Sequence, residues 1–238
     1  MKPFQQFPEH LKKGIHFVLT DIDDTLTLKG RLPSVVFSAM EQMRRTGISV
    51  IPITGRPAGW CDHIARMWPV DGVVGENGAF YFRFDERERK LKKRFLDSRE
   101  IRADKRRRLK RIGEEILTAV PGTAVAGDQR YREADLAIDY CEDVPPLGQK
   151  DVERICDIFK KYGATCKVSS IHINGWFGDY DKLKMTKIFV QERWSLNLDT
   201  NKAQFLFVGD SPNDEPMFQY FPHSVGVKNV LNFADRMK

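Results

Sequence analysis

The sequence predicts an α/β fold: a doubly wound parallel sheet, Rossmann-like, interrupted by an α+β insertion with its own small core. Three observations predict it. Short apolar runs alternate with amphipathic helical segments over 17–74 and again over 182–227, each run ending in polar residues. Between them the pattern changes to alternating, antiparallel-looking strands with two helices. The whole is 238 residues, 41% hydrophobic and 30% charged, enough for one large core or two smaller ones.

The first apolar run, Phe17, Val18 and Leu19, empties through Thr20 into Asp21, Asp23 and Asp24. Carboxylates gathered at a strand end repel one another, so the pattern asks for a cation. In an open α/β sheet ligands bind beyond the carboxyl ends of the strands, and the spacing of two makes Asp21 and Asp23 face the same way. A hard divalent ion such as Mg²⁺ accepts one or two carboxylates together with phosphate oxygens. An acidic turn closing a hairpin would give the same decapeptide.

Pro33 opens an amphipathic helix through Val35, Val36, Met40 and Met43, and Gly47 ends it. A second buried strand over 48–53 ends in Thr54, Gly55, Arg56 and Pro57. A helix over 58–68 and a strand over 72–74 follow, then Gly75, Glu76, Asn77, Gly78 and Ala79. From Phe80 the alternation with Tyr81, Phe82, Arg83 and Phe84 predicts a hairpin whose second arm is 90–96. The insertion continues with a basic helix over 101–120, an alternating strand over 129–140, a loop holding Pro145 and Pro146, a helix over 152–162 and a strand over 165–173. It is expected at 83–173, dividing the first unit into 1–82 and 174–238. Beyond it come a helix over 182–194, a buried strand over 204–208 that ends in Gly209, Asp210, Ser211, Pro212, Asn213 and Asp214, a helix after Pro216 and a short strand over 224–227.

Composition narrows the class. The net charge of +6 suits an anionic partner, whether nucleic acid or a phosphorylated metabolite. Much of the excess lies over 87–94 and 102–111, which read as solvated faces because neither run has the interleaved aromatics of a single-strand binder. No apolar stretch approaches the roughly 20 residues of a membrane span, and no secretion signal is visible, so the expected location is cytoplasmic. Cys61, Cys141, Cys156 and Cys166 show no C-x-x-C pairing and read as reduced thiols.

A parallel sheet brings the polar tips side by side: Asp21 with Asp23, Thr54, Lys182, and Asp210 with Asp214. Carboxylates can hold Mg²⁺, while a hydroxyl, an ammonium and loop amides hold phosphoryl oxygens. A carboxylate left facing phosphorus can act as nucleophile. Lys182, Lys184 and Lys187 all stand at the helix start. At about 100° per residue Lys184 and Lys187 share the polar face with Gln191, while Lys182 lies with Met185 and Phe189 and looks inward.

These four tips, in this order, resemble the four motifs of the haloacid dehalogenase superfamily. The long insertion, preceded by Asn77, Gly78 and Ala79, is similar to the cap of its Cof-like, type IIB branch of sugar phosphatases and phosphomannomutase. The resemblance implies a nucleophile at Asp21 and an acid then base at Asp23. It implies Mg²⁺ on the Asp21 carboxylate, the Asp23 carbonyl, Asp210 and Asp214, and phosphoryl oxygens on Thr54 and Lys182. Asp24 stands where many relatives have glycine. Candidate substrate contacts are Arg56 and Asn77 at the strand tips and, in the insertion, Arg130, Arg132 and Glu133 on one segment with His172, Asn174 and Trp176 on another, since an aromatic face with hydrogen-bonding groups suits a polyol. The expected function is a Mg²⁺-dependent phosphatase that hydrolyses a small phosphorylated metabolite, a sugar phosphate, through an aspartyl-phosphate intermediate, with a phosphomannomutase-like sugar phosphomutase or a non-catalytic nucleic-acid-binding protein as the alternatives.

Overall fold

A computed structural model describes residues 3–169 and 171–233. A one-turn helix α1 (Glu9–Lys12) precedes β1 (Phe17–Thr20), α2 (Ser34–Arg45), β2 (Ser49–Pro52), α3 (Ala58–Met67) and β3 (Val73–Gly75). The hairpin β4 (Phe80–Asp85) and β5 (Lys90–Phe95) leads to α4 (Arg99–Ala119), β6 (Ala124–Val125), β7 (Asp135–Asp139), α5 (Gln149–Lys161), β8 (Thr165–Val168) and β9 (His172–Trp176). The chain ends with α6 (Lys182–Trp194), α7 (Leu198–Asn201), β10 (Phe205–Gly209), α8 (Glu215–Tyr220) and β11 (His223–Gly226).

The core sheet runs β11, β10, β1, β2, all parallel, and continues through a parallel bridge from Ile53 to Val74 into β3 and the antiparallel hairpin β4 and β5. Side chains alternate across it. Val50, Val73, Phe80 and Phe82 pack beneath α2 and α3 with Met40 and Ile64, while Ile51, Val74 and Tyr81 pack on the other side with Met185 and Phe189 of α6 and Met217 of α8. Helices on both faces explain why β1 reads as a continuous apolar run with no polar side: Leu19 is fully buried, worth about 2 kcal/mol. The strand order turns between β1 and β10, since β2 and β3 lie to one side and β11 to the other. Asp21 and Asp210 both emerge at that switch point, where such sheets bind ligands.

The α+β insertion is a second sheet, β6, β7, β9, β8, carried on α4 and α5 around Leu109, Ile112, Ile138, Ile155, Phe159 and Ile173. Three expectations differ from what is observed. The strand expected over 129–140 is shorter, because Gln129–Tyr131 form a 3₁₀ turn and the N–H groups of Glu133, Ala134 and Asp135 turn to the Glu76 carboxylate instead of a neighbouring strand. The strand expected over 165–173 is a hairpin, β8 and β9, turned by Ser169, whose hydroxyl bonds His172 N and O; residue 170 lies outside the described residues. The β4 and β5 hairpin hydrogen-bonds to β3 of the core sheet, and the expected junctions at 83 and 173 fall inside β4 and β9.

Residues with positive φ position the site loops. Asp24, with φ of 56°, occupies a conformation that glycine takes without strain. Gly78, with φ of 106°, lets the loop after β3 press against the start of α6: a Cβ there would stand 2.0 Å from the Asp181 carbonyl oxygen. Gly78→Ala is therefore expected to cost about 2–4 kcal/mol. Urea unfolding of the variant checks it, and an unchanged midpoint would show that the loop is free to move.

Candidate active site

Lys182 is the first residue of α6. Asp181 caps that helix, its carboxylate accepting from Lys184 N at 2.7 Å, which fixes the helix start and turns Lys182 inward above Met185 and Phe189. Its ammonium donates to Asp21 Oδ1 at 2.6 Å and to Asp214 Oδ1 at 2.7 Å. Lys184 and Lys187 stay outside, paired with Asp179 and Asp199. Asp214 closes the Pro212–Asp214 3₁₀ turn, and its other oxygen accepts from Asp210 N at 3.1 Å.

Asp21, Asp210 and Asp214 each bring one carboxylate oxygen into a cluster whose members all lie within 4.8 Å of one another, and all three are buried. One ammonium faces them. Burial pushes the Asp21 carboxyl well above its ordinary range against the pull of Lys182, and burial with Asp214 nearby pushes Asp210 up to about 6. Burial opposes the charge on Lys182 too, but Asp21 and Asp214 outweigh it and hold that ammonium protonated. Asp210 Oδ2 is buried with no hydrogen-bond partner. An all-oxygen donor set with excess negative charge and an orphaned oxygen fits a hard divalent cation.

Thr54 follows Ile53 at the tip of the second strand and is fully buried; its Oγ1 accepts from Arg56 N at 3.0 Å, leaving its own hydrogen free to donate. Arg56 grips both oxygens of Asp23, Nη2 to Oδ1 at 2.8 Å and Nε to Oδ2 at 3.0 Å, and its guanidinium lies 4.6 Å from the centre of the Trp60 ring. From the insertion, Glu142 and Asp128 approach the same guanidinium at 3.5 and 3.7 Å. Asp23 thus stands beside the acidic cluster with its side chain held by Arg56 and outside the three-carboxylate group.

The cleft between core and insertion is lined by Asp21, Asp23, Arg56, Asp210, Ser211 and Asn213 below and by Arg132, Ser169, Ile171, His172 and Asn174 above. Arg132 is clamped by Asp128 and Asp135 and donates to Gly55 O at 2.9 Å, bridging the two units. Asn174 donates to Asp135 Oδ2 at 2.9 Å, and His172 Nε2 lies 2.8 Å from Glu142 Oε2.

Several expected contacts fall elsewhere. Trp176 shares the face of β9 that carries His172 and Asn174, but it lies farther from the cleft, buried among Ala134 and Tyr180 and stacked on the Tyr180 ring, so it packs core instead of offering a face to a polyol. Asn77 is buried behind Gly55 and does not line the cleft, Arg130 lies along Tyr131, and Glu133 pairs with Arg106. Sequence reasoning missed Glu142, Asp128 and Glu76. Glu142 and Asp128 sit in loops with no periodicity to mark them. Glu76 was visible as an acidic residue at a strand tip but looked like part of a turn. It is fully buried, and its carboxylate accepts from the N–H groups of Ala58, Glu133, Ala134 and Asp135, tying the core loop to the insertion. Burial and Asp135 push that carboxyl up to about 8 against the pull of Arg132 and the main-chain donors.

Residues 18–111 match a family model described as haloacid dehalogenase-like hydrolase. No curated protein sequence matches the chain. Among solved structures, a Thermoplasma acidophilum protein is similar at 21% identity and a TM-score of 0.67, over 93% of this chain and 90% of that one. A putative HAD/COF-like hydrolase from Plasmodium vivax is similar at 17% identity and 0.66, over 95% and 91%. The sucrose-phosphatase from Synechocystis sp. PCC6803, solved with sucrose and phosphate, is similar at 16% identity and 0.59, over 92% and 87%.

Removing the Glu76 carboxylate leaves four main-chain N–H groups without their acceptor, each costing about 1–3 kcal/mol where water cannot enter. Glu76→Ala is expected to destabilise by about 3–5 kcal/mol, read by urea unfolding. A loss under about 1 kcal/mol would mean that water replaces the carboxylate.

Proposed function

We propose that the chain is a haloacid dehalogenase-like hydrolase, the family that its residues 18–111 match, and within it a Mg²⁺-dependent phosphatase that hydrolyses a small phosphorylated metabolite, a sugar phosphate, through an aspartyl-phosphate on Asp21. The observation that carries this reading is the convergence of Asp21, Asp210 and Asp214 at the switch point of the sheet, with Lys182 bonded to two of them, Asp21 and Asp214. A catalytic core and an inserted cap, built on β6 to β9 with α4 and α5, belong to the same reading, as does a cytoplasmic location, where phosphorylated metabolites are found. Among the described residues no helix is long and apolar enough to cross a membrane.

In the proposed reaction an Asp21 oxygen forms a bond to phosphorus as the bond to the substrate oxygen breaks. Asp23, two residues along the same loop and ion-paired with Arg56 before substrate binds, takes up a proton from solvent as substrate enters and gives it to the departing oxygen. It then takes a proton from the water that attacks phosphorus and frees Asp21. Lys182 and the Thr54 hydroxyl hold phosphoryl oxygens, where both have donors to offer. Mg²⁺, held by the Asp21 carboxylate, the Asp23 carbonyl, Asp210 and Asp214, would neutralise the charge of the phosphoryl group and of the clustered carboxylates. Arg56 keeps Asp23 in a fixed orientation until substrate enters, and the closed insertion excludes water.

The insertion also bears on the substrate. Ser169, His172 and Asn174 offer hydrogen bonds to hydroxyls, and the sucrose-phosphatase with the same fold was solved with sucrose and phosphate. Both arginines of the cleft are already paired with carboxylates, Arg56 with Asp23 and Arg132 with Asp128 and Asp135. No unpaired cation lines the cleft among the described residues to take a second phosphate, which favours hydrolysis of a monophosphate over a mutase that works through a bisphosphate. Nucleic acid is disfavoured as a partner because much of the charge on α4 is met within the fold, Arg102 and Arg106 by Glu133, Lys105 by Asp97 and Arg107 by Asp104.

Asp21→Asn is expected to lower kcat for p-nitrophenyl phosphate by at least about 10³-fold with an unchanged far-ultraviolet circular dichroism spectrum. Retained turnover would remove Asp21 as the nucleophile. Dialysis against EDTA is expected to abolish the same activity and added Mg²⁺ to restore it, whereas full activity in the chelator would exclude a divalent ion from the reaction.

A further inference from the structure

Cys156 on α5 and Cys166 on β8 meet inside the insertion, Sγ to Sγ at 3.0 Å. Both are partly buried at the edge of the cluster built on Ile155, Phe159 and Ile173, so the pair is sheltered and still open to a small reagent. Neither lines the catalytic cleft. A disulfide has its sulfurs about 2.05 Å apart, so bonding here requires them to approach by about 1 Å, a movement that small χ1 rotations of two facing side chains supply. The intervening chain is the end of α5, a turn through the left-handed Gly163 and the start of β8, a short loop whose ends the fold already holds together.

The pair is also asymmetric. Cys166 donates its S–H to the Cys156 sulfur, and this hydrogen bond lowers the Cys156 thiol from its ordinary value, with Lys160 one turn along the helix acting in the same direction. The thiolate is the form that attacks a disulfide. Cys156 is thus the attacking group and Cys166 the resolving one.

We propose that Cys156 and Cys166 form a reversible dithiol–disulfide site, closed by exchange with a small disulfide of the glutathione class. The Cys156 thiolate attacks one sulfur of the reagent, forming a mixed disulfide and expelling one thiolate. Cys166 gives up its proton and attacks the Cys156 sulfur, expelling the second. Two protein thiols are oxidised to one disulfide while one reagent disulfide is reduced to two thiols. The new bond staples α5 to β8, the strand that runs into Ser169 at the cleft and touches the Pro212–Asp214 turn of the core.

The test uses the full chain, reduced, freed of reductant, incubated with oxidised glutathione, alkylated and mapped by mass spectrometry. Two of the four cysteines should escape alkylation, the protein should lose the mass of two hydrogens, and a peptide should link positions 156 and 166. Dithiothreitol should reverse all three, and the thermal midpoint should fall back by roughly 5 °C when it does. Cys156→Ser and Cys166→Ser should each prevent the link, and Cys141→Ser should leave it intact. Four alkylated thiols, a glutathione adduct on Cys156 that Cys166 never displaces, or a link to Cys61 or Cys141 would each overturn the assignment.

Discussion

The structure depends on a charge imbalance buried at one point. Three carboxylates, from the ends of β1 and β10 and from the turn beyond, converge where the sheet changes direction, and a single ammonium meets them. Folding alone would not select this, because each carboxylate loses its water and repels the other two. The surrounding fold holds it in place: parallel pairing of β1 with β10 fixes Asp21 beside Asp210, the 3₁₀ turn returns Asp214 to the Asp210 amide, and the Asp181 cap sets the start of α6 so that Lys182 enters from the side. Excess negative charge of this kind is relieved by a hard cation.

A second set of buried charges joins the insertion to the core. Glu76 reaches up from the loop after β3 to the N–H groups at 133–135, and Arg132 reaches down to the Gly55 carbonyl, so the two units exchange one anchor each. These bonds lie next to one another, with Arg132 also bound to Asp135, so breaking one exposes the others to water. Both anchors sit at neighbouring strand tips: Thr54 directly precedes Gly55, and Glu76 precedes Asn77, whose amide bonds the Thr54 carbonyl.

The core was legible because local pattern and tertiary placement coincide there. β1, β2 and β10 are apolar runs that give way to polar residues at their carboxyl ends, so Asp21, Thr54 and Asp210 stand out by contrast with what precedes them. Lys182 was legible by periodicity, since its neighbours Lys184 and Lys187 belong to the opposite face of the same helix. The insertion was less legible because long-range contacts decide its details. Alternation over 129–140 looked like strand, yet three of its N–H groups bond a carboxylate more than fifty residues away. The sequence groups Trp176 with His172 and Asn174 only as one segment; they share a face of β9, but packing among Ala134 and Tyr180 keeps the indole out of the cleft. Glu142 carries no local signal; its meaning comes from His172 and Arg56, contributed by other elements.

Arg56 is where the core and the insertion meet around Asp23. It leaves the core at the strand tip that carries Thr54, lies against Trp60, and binds both oxygens of Asp23, while two acids of the insertion share the far edge of the same guanidinium. A guanidinium has five N–H donors in a fixed plane, so it cannot turn toward the insertion without loosening its hold on Asp23. One positive charge is thereby divided among three carboxylates, one from the core and two from the insertion. The Asp23 carboxylate and the insertion are therefore joined through one side chain.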